Sequence, residues 1–336
     1  VVILELSSWQ LADLRGRKLL KPYISLITKI VPDHQNWYAN MSEYVADKRL
    51  IYADQTKEDY TLVDFDGDTV GTGPITGGTW GDLFASESKG TVIRYSQKDL
   101  SRYAKGMNGA WQSFDDDNVF SGMVKLPDWP KAQKVLGKLK VPGVHMRCNT
   151  MNAALVLAIM GVEPAFIEST LGQWTGIPHR LQFFHTWQSP SGTKFRFFND
   201  SCSTVPEAAA VASQSFGKQV VFITGGTDKG LDFMPLAATL NYKDSFSTKV
   251  YKLYLLDGTG TEKLVQLLKK DQIDFDKPFD SLELLLKKLK EDLLMAGDSF
   301  LSDTIVFSPG ATSFGMFTNE FDRGNKFMNL VKEIFA

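Results

Sequence analysis

Cysteine is nearly absent from this sequence. Cys148 and Cys202 are the only two, and neither belongs to a Cys-x-x-Cys pair. That excludes a disulfide framework and points to a reducing, cytoplasmic compartment. An excess of either charge is missing as well. Thirty-seven Lys and Arg against 39 Asp and Glu leave a net −2, without the basic surplus that nucleic-acid binding calls for. No apolar run is long enough for a membrane span; the longest, 153–162, is about half of what a bilayer needs. No 20–50-residue repeat occurs. Ile-Thr-Gly-Gly-Thr stands at 75–79 and again at 223–227, but the flanks differ, so the match reads as chance. No Gly-Lys-Ser or Gly-Lys-Thr follows a glycine run, so no P-loop is present. The chain also lacks an initial methionine and opens inside an apolar run, 1–6. That run reads as a buried strand and the opening as a cut through a sheet, with no basic flank of a signal peptide.

What is present suffices for two domains. Over 336 residues, 43% are hydrophobic and 12% aromatic, enough to bury sizeable cores and to exclude wholesale disorder. In the first half, 23–30 reads as a second buried strand and 41–54 as a helix capped by Asn40 or Ser42. Residues 60–125 read as short strands and polar turns, among them Asp66-Gly67-Asp68. Helices are expected at 131–139, 149–160 and 163–174. A boundary falls at Gly176-Ile177-Pro178. Beyond it comes a hairpin of 181–187 with 194–199, then helices at 206–216, 233–240, 260–270, 281–295 and 322–335. Strands at 219–224, 250–256 and 304–308 separate them. Such alternation specifies an α/β class with a parallel, doubly wound sheet whose ligands sit at the carboxyl ends of the strands. The domains are expected at 1–177 and 178–336.

Histidine is scarce, with four in all: His34, His145, His179 and His185. His34 follows an acidic residue beyond a strand, and Glu5 closes another strand ahead of Ser7, Ser8 and Gln10. A carboxylate and an imidazole at two strand ends can converge on one hard cation that carries a phosphate. The plainer alternative is a glutamate that caps the next helix. Lys48 lies one helical turn after Tyr44. In the second half Gly225-Gly226-Thr227-Asp228-Lys229-Gly230 follows a buried strand. Backbone N–H groups at such a turn make an anion site, to which Lys229 adds a point charge. Ser308 to Ser313, and Asn199-Asp200-Ser201, follow two other strands at the same level. Three polar turns on one sheet edge imply a single ligand crevice.

Six segments in order, Glu5 to Leu11, 32–48, Gly176 to Gln182, Phe197 to Ser201, Gly225 to Phe233 and Ser308 to Phe317, resemble the successive signatures of the Mur ligases. Within that family they are most similar to the branch that adds D-glutamate (D-Glu) to UDP-N-acetylmuramoyl-L-alanine (UDP-MurNAc-L-Ala). The resemblance covers essentially the whole chain. It implies a central ATP-binding domain followed by a Rossmann-like domain for the incoming amino acid. It also implies that the family's N-terminal UDP-binding domain and its P-loop have no counterpart here, so that this chain by itself is inactive. The implied reaction is ATP-dependent amide formation through an acyl phosphate, in peptidoglycan precursor synthesis, by a cytoplasmic monomer without nucleic-acid or membrane partners. Mg²⁺ is implied beside Glu5, His34 and a carbamylated Lys48, and Lys48, His34 and Lys229 carry the catalytic roles. Ser7, Ser8 and Gln10 would face the muramoyl substrate, and Asn149, Arg180 and Asp200 the nucleotide. Thr204, Lys229, Ser313 and Phe314 would form the amino-acid pocket.

Three departures from the family pattern stand out. His145-Met146 replaces His-Asn, Cys202 occupies the place of a lysine, and Glu320 that of a pocket aromatic. The rivals are a sister ligase with another acceptor, folylpolyglutamate synthase, and a degenerate nucleotide-binding scaffold. Ser308 to Phe317 and Asn199-Asp200-Ser201 fit the D-glutamate branch better than the second, and the third would not keep Glu5, His34, Lys48, Arg180, Asp200 and Lys229 together.

Overall fold

Strand and helix alternate along both halves of the chain, and the strands gather into two sheets. The computed structural model describes residues 1–30, 37–67, 78–240, 250–297 and 300–336. The chain divides into two compact units, Val1–Leu139 with Cys148–Gln173, and Lys140–Arg147 with Trp174–Ala336.

The first unit opens with α1 (Ser8–Asp13), β1 (Ile24–Leu26), α2 (Met41–Lys48), β2 (Tyr60–Asp64), α3 (Trp80–Glu87) and β3 (Thr91–Ser96). It continues with α4 (Leu100–Tyr103), β4 (Gly109–Phe114), β5 (Phe120–Lys125), β6 (Gln133–Leu136), most of α5 (Val144–Ile159), and α6 (Pro164–Gln173). The six strands lie in sequence order; β1 to β4 run parallel, β5 is antiparallel to β4, and β6 is antiparallel to β5. Alternate side chains enter opposite layers, as the two-residue period of a strand requires. Leu62, Ile93, Ala110 and Val124 pack with Met151, Ala154 and Leu155 of α5. Val63 packs with Val45, Tyr52, Trp80 and Phe84 on the other face.

Two expectations fail here. Residues 1–6 form no strand, and Val1 to Leu4 are exposed. β-Branched composition makes a strand only where a neighbour supplies the ladder, and no described residue pairs with this run. The helix expected at 131–139 is instead β6, paired antiparallel with β5. Its apolar stretch is too short for a helix and ends at Gly137. Other limits shift: 23–30 keeps three strand residues, the helix at 41 passes after Lys48 into a 3₁₀ turn, Arg49–Tyr52, and α5 begins five residues early.

The second unit follows the expected order closely. It comprises β7 (Gln182–Gln188), β8 (Lys194–Asn199), α7 (Pro206–Gln214), β9 (Val220–Thr224), α8 (Met234–Thr239) and β10 (Val250–Leu255). Then come α9 (Thr259–Lys270), α10 (Leu282–Ala296), β11 (Thr304–Phe307) and α11 (Glu320–Ile334). The spatial order is β10-β9-β11-β8-β7, parallel throughout except for the β7–β8 hairpin. Phe198, Phe222 and Val306 face α7, α8 and α9. Phe197, Ile223, Ile305 and Phe307 face α10 and α11. Because β11, the last strand in sequence, inserts between β8 and β9, the loops that follow these three strands become neighbours.

Candidate functional site

The three loops at the carboxyl edge of the second sheet are stitched to one another. Gly225 N–H donates to Pro309 O (2.9 Å), Gly310 N–H to Ser203 O (3.0 Å), and Thr312 N–H to Thr227 O (2.9 Å). Gly226 N–H reaches Thr261 Oγ1 (2.9 Å) and Asp228 N–H reaches Thr259 Oγ1 (3.0 Å). Thr227 N–H returns to Thr312 O at 3.3 Å. This corrects the anion-nest reading of the glycine turn, because the four N–H groups of 225–228 are spent inside the protein. Gly225 and Gly226 serve close packing: at Gly225 (φ +111) a Cβ would stand 2.3 Å from Leu256 O, and at Gly226 one would stand 3.0 Å from Thr312 O. Lys229 remains an exposed cation beside the turn, whereas Asp228 is held by Lys263 at 2.5 Å.

Several of the candidate side chains lie on or beside these loops. Asp200 is buried; its Oδ1 accepts from Leu181 N–H (3.0 Å) and its Oδ2 from Ser308 Oγ (2.6 Å). Burial pushes its carboxyl up to about 6, although these bonds and Arg180 and Arg323 pull the other way. Arg180 is exposed one residue before Leu181, and its charge acts on His145, Asp200 and Cys202 alike. Thr204 is half-buried, Ser313 buried, and Phe314 exposed at the end of the loop after β11. Cys202 is half-buried, and burial raises its thiol.

Two polar atoms of this unit are buried without a partner. Ser203 Oγ and His145 Nδ1 are buried and make no hydrogen bond among the described residues. Burial, then the Arg180 charge, keeps His145 below the ordinary histidine value. Orphaned polar atoms of this kind call for a partner from outside the chain.

Two residues of this region are given no role by the sequence reading. His179 is buried and adopts a left-handed backbone (φ +62), as does Leu181 (φ +42). Its Nδ1 accepts from Asn199 Nδ2 at 2.9 Å, which leaves the ring proton on Nε2. Arg323 is 1% exposed and donates to Ser201 Oγ, Ser201 O and Ala311 O. A signal existed for each: His179 follows Pro178, and Arg323 lies in the first turns of a helix capped by Asn319. Neither signal discloses burial.

The first unit presents a different picture. Ser7 caps α1 in a reciprocal box: its N–H donates to Gln10 Oε1 (2.8 Å), and Gln10 N–H donates to Ser7 Oγ (3.3 Å). Ser8 is buried. Arg15 pairs with the buried Asp47, which also accepts from Tyr38 Oη at 3.0 Å. Lys48, half-buried, places its Nζ 5.6 Å from the centre of the Tyr44 ring. Glu5 and Asn149 are exposed. His34 lies outside the described residues, and the described ones contain no cluster of three His, Cys, Asp or Glu fit for a metal.

Comparisons with known proteins follow the same lines. The Mur ligase middle domain matches residues 1–158. The UDP-N-acetylmuramoylalanine–D-glutamate ligase of Treponema pallidum is 33% identical over 99% of this chain and 68% of its own length. That of Caldicellulosiruptor saccharolyticus is 29% identical over 99% of this chain and 65% of its own. Among solved structures, MurF from Acinetobacter baumannii matches with a TM-score of 0.59 at 14% identity, over 94% of this chain and 60% of that one. Folylpolyglutamate synthase from Thermotoga maritima matches with 0.51 at 14%, over 93% and 62%. At such identity the two structures speak for the fold alone. The chain spans about two thirds of the length of the curated relatives that it matches.

Proposed function

This chain belongs to the Mur ligase family, and we propose that it is the central and C-terminal part of an ATP-dependent ligase joining D-Glu to UDP-MurNAc-L-Ala in peptidoglycan precursor synthesis. The proposed domains are 1–177 for ATP and 178–336 for the amino acid, in a monomeric cytoplasmic protein. The supporting observation is the strand order β9-β11-β8, which sets the turns bearing Lys229, Ser313 and Asp200 side by side on one sheet edge. The orphaned Ser203 Oγ, in the loop after β8, fits a polar ligand there.

In this reading the substrate carboxylate takes the γ-phosphoryl group of ATP and ADP leaves. The amine of D-Glu then attacks the acyl carbon, an amide bond forms and phosphate departs. Such transfer depends on positioning and charge neutralisation. Arg180 offers an exposed guanidinium to the nucleotide, and Asp200 shapes the turn that presents it; Asn149 is the nucleotide residue of the first unit. Lys229 neutralises a carboxylate of the amino acid, with Thr204 and Ser313 as hydroxyl partners and Phe314 at the rim. Ser7, Ser8 and Gln10 mark the muramoyl side. Magnesium, when bound, would neutralise phosphate charge. Its proposed neighbours are Glu5, His34 and a carbamylated Lys48, on the family resemblance, since the described residues do not assemble a metal set.

A second reading, an acceptor other than D-Glu, draws on Glu320, whose carboxylate acts on both Cys202 and Arg323 and would repel an acidic ligand. One assay separates the readings: phosphate release from ATP by the whole gene product with UDP-MurNAc-L-Ala and single amino acids. Release that requires D-Glu is expected. Release with another amino acid alone establishes the second reading, and none with any amino acid overturns both.

A further inference from the structure

Arg323 is one of the largest fully buried side chains, and no carboxylate forms an ion pair with it among the described residues. Its donors go to neutral oxygens instead. Nε reaches Ser201 Oγ at 3.0 Å and Nη2 reaches Ser201 O at 2.8 Å, both in the loop after β8. Nη1 reaches Ala311 O at 2.9 Å, in the loop after β11. Ser201 Oγ in turn donates to Glu320 O at 2.7 Å, so the first turn of α11 closes the circuit. The neighbouring Gly324 lets this helix approach: a Cβ there would stand 2.1 Å from His179 Nδ1. A buried cation bonded only to neutral groups is costly, and burial pushes its guanidinium down to about 10. A neutral side chain would suffice to fill the space. A planar fork with several fixed donors is needed only if two loops must be held at one spacing.

We propose that Arg323 is a positioning residue that fixes the spacing between the loop of Ser201 to Thr204 and the loop of Ala311 to Phe314, the two walls assigned to the amino acid. The proposal deepens the ligase reading and rests on it only for the identity of the ligand. Lysine keeps the charge but cannot span both loops, so Arg323→Lys separates geometry from electrostatics.

Cys202 reports on the first wall and Cys148, in the other unit, serves as the reference thiol. Alkylation of both by iodoacetamide is followed by mass spectrometry in the 336-residue chain, with and without D-glutamate. In Arg323→Lys the rate at Cys202 should rise about tenfold, the size expected for losing one charge-assisted hydrogen bond, with Cys148 unchanged. The D-glutamate concentration that half-protects Cys202 should rise by a similar factor, a shift that a purely structural role would not produce. Ser201→Ala, a milder change, should move both quantities in the same direction and covers the case in which Arg323→Lys does not fold. Unchanged rates at Cys202 in a folded variant, or equal acceleration of both thiols, overturns the proposal. If D-glutamate fails to protect the wild-type chain while Arg323→Lys still frees Cys202, the positioning role stands and the ligand assignment falls.

Discussion

At the residue scale, burial decides what each candidate can do. Asp200 spends both carboxylate oxygens on Leu181 N–H and Ser308 Oγ, and its carboxyl rises from an ordinary 3.8 to about 6. The native state therefore holds a proton between those values that the unfolded chain has released. The stability that this one group contributes is fully present below about pH 4 and is lost as pH rises through 6, roughly 3 kcal/mol in all. Asparagine cannot titrate, so Asp200→Asn should lose this fall. Urea unfolding of both chains at several pH values reads the difference, which also cancels the similar contribution of Asp64 in the other unit. Identical slopes in the two chains would show that Asp200 is not strained by burial. The residue types of the site were legible in the sequence; that Asp200 faces inward and Arg180 outward was not, because adjacent letters do not state which side chain a turn buries.

At the element scale, the turn after β9 illustrates how a motif can mislead. Its glycines suggest a phosphate cradle, yet Gly225 and Gly226 are required by neighbours pressing on the backbone. Gly225→Ala would bring a Cβ to 2.3 Å from Leu256 O and 2.4 Å from Thr261 Oγ1. A loss of about 3 kcal/mol or more is expected. Gly230→Ala, also at positive φ but with nothing within 4 Å, should cost only about 1 kcal/mol. Equal losses in urea titrations would contradict the packing explanation. The periodic helices and central strands of the second unit could be read directly, since each completes its own pattern. The run 1–6 and the strand β6 could not, because strand formation depends on a partner distant in sequence.

At the scale of the whole molecule, order and sheet class follow from alternation, but strand order does not. Placing β11 between β8 and β9 turns three separate polar loops into neighbours, and this feature carries the functional reading. Each unit holds its own share of the candidate residues, with Lys48 and Asn149 in the first and Arg180, Asp200 and Lys229 in the second. The central claim, that the carboxyl edge of the second sheet receives D-glutamate, is most directly tested by titrating the isotopically labelled chain with D-glutamate and following amide resonances. The account predicts saturable shifts concentrated at Thr204, Lys229, Ser313 and Phe314, and far weaker ones with L-glutamate. Shifts confined to the first unit, or equal responses to both enantiomers, would contradict it.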